Sequence, residues 1–272
     1  MDYNLDSPGL VSSLDELSLW SAPFGLKILE RINLRPQLHA LDIGCGTGFP
    51  LLELSMRLGP ESKVYGLDPW QAALDRADFK AKEYQINNIS FFKGEAENMP
   101  FFTGTFDLLV SNNGLNNVRN IEQAMAECYR VARSGAQFVW TMNTDASFAP
   151  FYKLFRLALE QNHCTECLSA VDAHIYAKRR PVDEMSKITT HAGFEITMLL
   201  HDSFNYRFSN GTAMLSHSFI RLAFMPSWLE IIPPQNRNQI LSTLEAFLNE
   251  LAEKEKGLTM PVPFVVFDCV KP

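Results

Sequence analysis

LDIGCGTGFP, residues Leu41–Pro50, sets three glycines at alternate positions behind a short apolar run that carries one acid. Glycine turns sharply and lets a second group approach the backbone with no Cβ in the way. The run before it, from Leu38 to Ile43, has the length and composition of a strand. The leucines after it, Leu51, Leu52, Leu54 and Leu58, fall on one face of a helix. A glycine-rich turn between a strand and a helix predicts a ligand site at the carboxyl end of a parallel sheet.

Outward from this turn the strand–helix rhythm continues to about residue 143. KVYGLD is followed by a helix from about Trp70 to Tyr84, and ISFFKGEA and FDLLVSN give two further strands. Ile121, Ala124, Met125 and Cys128 keep the spacing of one buried helical face. Gly135 closes that connection, and AQFVWTMN is the fifth strand. Such alternation predicts right-handed crossovers and a sheet covered on both faces. Beyond Asn143 come an amphipathic helix through Phe151, Leu154, Phe155 and Ala158, then a short helix ending at Gly193. The strand FEITMLLHDSF follows, with helical stretches around 214–224 and 239–251 and a last strand, VPFVVFDCV.

The expected fold is therefore α/β, doubly wound and Rossmann-like. The expected division is a helical cap (1–36), an α/β core (37–145), a helical insertion (146–181), a core helix and strand (182–208), a helical lid (209–257) and the last strand (258–272).

Composition limits the function classes. The chain has 272 residues, 46% hydrophobic and 20% charged, with a net charge of -7. A nucleic-acid binder carries a basic patch or stripe, and the one tight basic cluster is Lys178-Arg179-Arg180. Five cysteines point to a reducing compartment. No basic residue precedes Lys27, and no apolar run approaches about 18 residues. A cytoplasmic protein with neither leader nor membrane span is expected.

The glycine spacing selects among ligands. A dinucleotide fingerprint needs a small third residue where this chain has Phe49, and a P-loop needs a Lys that is absent. Asp68 ends the second strand 20 residues after Gly48, where an acid accepts both ribose hydroxyls. That position suits NAD equally. The third strand's GEAENMPF, residues 94–101, separates the two.

ALDIGCGTG, GLDPW, GEAENMPF, FDLLVSNNGLNNV and ECYRVARSGAQFVWTM, in this order, resemble the class I S-adenosylmethionine-dependent methyltransferases. The likeness is greatest to the small-molecule group that includes the ubiquinone and menaquinone biosynthesis enzymes. It covers roughly residues 38–143 and the DEMSKITTHAGFEI segment. It implies a seven-stranded sheet with an antiparallel last strand, S-adenosylmethionine as co-substrate and S-adenosylhomocysteine as product. By position it implies that Gly44, Gly46 and Gly48 line the methionine end, with Asp42 beneath, holding the loop or reaching the amino group through water. Asp68 would bind the ribose, and Pro69 or Trp70 would cover an adenine face. Glu95 and the Ala96 N–H would meet the adenine edge, and the Asn112 carbonyl the amino group. Asp42 and Glu95 also have plainer readings, as an acid satisfied by loop amides and as a solvated strand end.

Methyl transfer from a sulfonium needs chiefly an acceptor held on the line of attack, so no catalytic residue is named by the motifs. His174, His191 and His217 are candidate bases without a geometry to choose among them. SNNGL stands where nucleic-acid and protein amino-methylating enzymes often carry Asn-Pro-Pro-aromatic. No acidic cluster suggests a hard metal ion, and Cys164 and Cys167 form a lone pair that is weak for zinc. The expected acceptor is a small apolar or aromatic molecule. Phe148, Phe151, Tyr152, Phe155, Phe204 and Trp228 either wall its pocket beneath a closing lid or pack the added helices. Trp20 and Phe24 either cap the cofactor cleft or anchor a helix. A non-catalytic S-adenosylmethionine-binding protein and an NAD-dependent oxidoreductase are the alternatives.

Overall fold

The computed structural model describes residues 6–9, 11–12 and 19–272. Its seven strands are β1 (His39–Ile43), β2 (Lys63–Asp68), β3 (Ile89–Lys93), β4 (Phe106–Asn112), β5 (Ala132–Asn143), β6 (Glu195–Phe208) and β7 (Leu258–Val270). They form one sheet in the order β3-β2-β1-β4-β5-β7-β6. β1 to β5 are parallel. β7 runs against β5, since Gly135 N–H donates to Lys271 O and Lys271 N–H returns to Ala136 O. The expected Rossmann-like sheet with an antiparallel last strand is what the chain forms. Strand order reverses between β1 and β4, which is where such sheets bind ligands.

The chain divides into two compact units: described residues to Met142 with Val182–Asp202 and Phe264–Pro272, and Asn143–Pro181 with Ser203–Pro263. The first holds α1 (Ser21–Arg31), α2 (Leu51–Leu58), α3 (Gln71–Glu83), α4 (Ile121–Val131) and α7 (Val182–His191). α4 buries the four residues its spacing selects, and the Asn120 side chain caps its start by accepting from Gln123 N–H, an arrangement worth about 1 kcal/mol. α2 lies close on β2 because Gly66 has no side chain. A Cβ there would fall 2.5 Å from Leu51 Cδ2 and 2.9 Å from Cys45 Sγ. Trp140 stacks on Phe267 at 4.0 Å within the β5–β7 layer.

The second unit holds α5 (Ala149–Gln161), α6 (Leu168–Lys178), α8 (Gly211–Ser216), α9 (Ser218–Ala223), α10 (Met225–Ile231) and α11 (Arg237–Glu255). Its aromatic residues make a core of their own. Phe148, Phe151, Phe155 and Trp228 are buried, and Phe151 stacks on Trp228 at 3.9 Å. Cys164 and Cys167 are buried free thiols, with Asn236 Nδ2 donating to Cys164 Sγ.

Some boundaries differ from those the periodicity predicts. Gly135 lies inside β5, not before it: it takes a positive φ there, its N–H donates to Lys271 O, and Ala136 O accepts from Lys271 N–H. The stretch 214–224 is two helices broken at His217, which is extended. Pro226, with no N–H to donate, sits in the first turn of the next helix. β6 runs on to Phe208 because its alternate residues stay half-buried.

Candidate functional site at the carboxyl ends of β1, β2 and β4

The glycine loop turns on left-handed residues: φ is +76° at Gly44, +51° at Gly46 and +103° at Gly48. Each glycine serves a different need. A Cβ on Gly44 would fall 2.9 Å from Gly114 Cα, so the loop after β4 closes on the loop after β1 at backbone distance. A Cβ on Gly48 would press Leu52 and Ala77 at 3.1 Å, so this glycine lets α2 pack beside α3. Gly46 meets nothing within 4 Å and faces open space.

That space is a cleft of about 600 Å³. Gly44, Gly46, Asp68, Pro69 and Trp70 line it from the first two strands, and Glu95, Ala96 and Asn112 from the third and fourth. Eight of the ten residues expected at the site thus converge. Asp42 and Gly48 do not reach the cleft wall. A second groove of about 610 Å³, around Gly59 and Asn88, contains none of the motif residues.

Asp68 is the structural pin of the site. Its Oδ2 accepts from Gly46 N–H at 2.8 Å and its Oδ1 from Trp70 N–H at 2.8 Å. One carboxylate therefore ties the β1–α2 turn to the β2–α3 turn. Burial raises its pKa, and the two N–H donors oppose the rise. A carboxylate has about four acceptor positions, so two remain for a ligand.

Asp42 lies in β1 beneath the loop and is fully buried. Neither of its oxygens makes a full hydrogen bond among the described residues, although the Leu51 N–H at the start of α2 lies near enough to favour its charged form. Burial, with the Asp68 charge adding, pushes its pKa up to about 8, while the Leu51 N–H pulls the other way. At neutral pH it is mostly a neutral acid.

Glu95 is exposed at the cleft rim, 3.9 Å from the Arg119 guanidinium. Asn112 is buried, and its Nδ2 donates to Ser21 O on α1. Trp20 lines the cleft and packs edge-on against Phe24, whose ring is buried on Phe264. One of this pair is cap and the other anchor. Two residues escaped the motif reading. Glu97 accepts from Arg119 N–H and Asn120 N–H, fixing the loop that closes the cleft. Gly114 meets Gly44. Repeated Asn and Gly in SNNGLNN were the available signal for the second. Among the histidines, none lines the cleft.

Among the described residues no group of His, Cys, Asp or Glu has a metal-binding arrangement, and no helix is long and apolar enough to cross a membrane.

Comparison with known proteins places these features. The family model of a methyltransferase domain matches residues 41–140. The chain is 34% identical over 152 residues to a demethylmenaquinone methyltransferase of Lactococcus lactis subsp. lactis (strain IL1403), covering 56% of this chain and 58% of that one. It is 33% identical over 127 residues to the enzyme of the same name from Geobacillus sp. (strain WCH70), covering 47% and 54%. The chain thus spans little more than half the length of the curated relatives it matches. In fold it is similar to a putative methyltransferase of Bacillus halodurans C-125, with a TM-score of 0.60, 17% identity and coverage of 91% and 98%.

Proposed function

We propose that the protein, whose residues 41–140 match the family model of a methyltransferase domain, transfers the methyl group of S-adenosylmethionine to a small, apolar, ring-bearing acceptor. The observation that carries this reading is the convergence of Asp68, Glu95, Ala96 and Asn112 on one cleft with the open, left-handed Gly46. The names of the relatives support a quinone-like ring as the acceptor.

In this reading Gly44 and Gly46 receive the methionine end, and Asp68 takes the ribose hydroxyls with its two uncommitted acceptor positions. Pro69 and Trp70 lie against the adenine, and Glu95 accepts from its amino group beside the Ala96 N–H. The Asn112 carbonyl faces the amino group of the methionine end. Gly48 acts one step back, by seating α2, and Asp42 from beneath the loop. In the reaction an electron pair of the acceptor, a heteroatom lone pair or a ring π pair, forms the new bond to the methyl carbon, and the proton that the methyl group replaces leaves to water. The carbon–sulfur electron pair returns to sulfur, and S-adenosylhomocysteine is left. No proton or metal is needed to activate the leaving group. The chain's contribution is then to hold donor and acceptor in line, an effect that reaches about 7–11 kcal/mol in well-oriented systems.

The test is incubation with methyl-labelled S-adenosylmethionine and a demethylated hydroquinone, beside a pool of small metabolites. Labelled product from the ring compound is expected. Tight binding of S-adenosylmethionine with no methyl transfer to any acceptor would favour a purely regulatory protein, and tighter binding of NAD would overturn the reading.

A further inference from the structure

Arg179 follows α6 in the second unit with 4% of its surface exposed. Among the described residues its guanidinium makes one hydrogen bond, from Nη1 to the Tyr152 hydroxyl at 3.2 Å, and lies 5.6 Å from the centre of that ring. Among the described residues no carboxylate pairs with it. The acid on the same helix, Asp172, is exposed and held by Arg156. A guanidinium keeps its charge and has five N–H donors in a planar fork. Burying it without a counter-charge is unfavourable; the Nε and Nη2 donors have no protein partner among the described residues, and neither is fully enclosed, so this edge stays open to a small ligand.

The groups around it are locked in place. Trp228 Nε1 and Arg179 Nη1 both donate to the Tyr152 hydroxyl, at 3.2 Å each. Both are donors only, so the phenol's own hydrogen has one direction left, to His174 Nε2 at 3.2 Å. His174 is therefore a neutral imidazole with its proton on Nδ1. Burial, then the positive charges of Arg179 and Lys178, push its pKa down to about 4. Trp228 is stacked on Phe151 beside this chain of bonds. A fixed cation with a free donor edge, positive surroundings and aromatic rings next to it has the make-up of an anion site.

We propose that Arg179 is a buried binding site for an organic carboxylate, which its Nε and Nη2 donors take as a two-point fork. A planar monoanion balances the single buried charge and fits the fork. A phosphate dianion would bury one charge in excess. The inference does not depend on the activity proposed above.

The test uses the full chain, with benzoate as the probe and methyl benzoate and inorganic phosphate as comparisons. The readouts are the Trp228 indole N–H resonance and the titration of the His174 ring by NMR. Benzoate should shift the indole signal and raise the pKa of His174 by offsetting the charge of Arg179. Methyl benzoate should do neither. Arg179→Gln should weaken benzoate at least tenfold and itself raise the pKa of His174. Arg179→Lys, a point charge without the fork, should fall between. Equal binding of methyl benzoate, preference for phosphate, or an unmoved His174 titration with benzoate in the unmodified protein would overturn the proposal. Unchanged benzoate affinity in Arg179→Gln would do the same, leaving Arg179 only as a tie for Tyr152.

Discussion

Gly44 and Gly114 exclude side chains from one another. A Cβ on the first would fall 2.9 Å from the Cα of the second, and a Cβ on the second 3.1 Å from the Cα of the first and 2.6 Å from Ile43 O. The turns after β1 and β4 therefore meet backbone to backbone. Gly44→Ala or Gly114→Ala should destabilise the fold by about 1–3 kcal/mol through overpacking. Gly44→Ala adds roughly 1–2 kcal/mol for its left-handed backbone. Gly46→Ala meets open space and should lose only that backbone cost, while its methyl group obstructs the cleft. Denaturant titration beside calorimetry with S-adenosylmethionine separates the two kinds of glycine. A Gly46→Ala protein that binds normally would show that nothing approaches this residue.

Asp68→Ala should weaken S-adenosylmethionine by about 10- to 100-fold, the effect of losing hydrogen bonds worth about 1.5–3 kcal/mol to a charged acceptor. It also frees the Gly46 and Trp70 N–H groups, so stability should fall as well. Asp68→Asn keeps one acceptor oxygen and should lie between. Calorimetry with each variant, its fold verified by circular dichroism, checks this. Intact affinity in Asp68→Ala would remove the ribose role and leave only the pin.

Asp42 gives a pH dependence of known sign. Its carboxyl is raised to about 8 in the folded chain, against an ordinary value of 3.8. Its contribution to stability is whole below the lower value. It shrinks as pH rises between the two, by at most about 1.4 kcal/mol per pH unit, and is exhausted above about pH 8. Asp42→Asn cannot ionise. Relative to the unmodified protein, the variant should gain stability steadily from pH 4 to pH 8, in denaturant midpoints taken at each pH. A difference that stays flat over this range would mean Asp42 is ionised in the folded state.

Glu95→Gln keeps an acceptor oxygen but loses charge assistance. Its ion pair with Arg119 is exposed and long, so stability should change by less than about 1 kcal/mol. Binding of S-adenosylmethionine should weaken modestly, and binding of an analogue without the adenine amino group hardly at all. Equal losses for both ligands would make Glu95 a support of the loop.

Most of the sheet, and eight of the ten expected cleft residues, were legible because both are encoded locally. Strand alternation, the face of α4 and the glycine turn each occupy one short stretch. Two kinds of information were not local. Gly114 matters because a turn 70 residues earlier in the chain comes to rest on it, and nothing in SNNGLNN announces its neighbour. Asp68 read as a ligand for ribose, yet its carboxylate also holds Gly46 and Trp70, a task visible only once two turns are side by side. The network of Tyr152, His174, Arg179 and Trp228 draws on three separate segments; each was noticed in the sequence for a different reason, and nothing there joined them.

The pairing of β1 with β4 also bears on how quickly the chain acquires its cleft. Ala40 lies opposite Leu108, so this pairing closes a long stretch of chain around β2 and β3 before it gains any contact energy. Non-local pairings of this kind slow the search for the native state. The helices and the adjacent β1–β2 and β2–β3 pairs form over shorter separations and can gather first. Recovery of far-ultraviolet ellipticity on dilution from denaturant should therefore run ahead of recovery of S-adenosylmethionine binding. Until the β4 turn is in place the cleft lacks Asn112 and Gly114 from its wall, so ligand binding should be among the last properties a refolding chain regains.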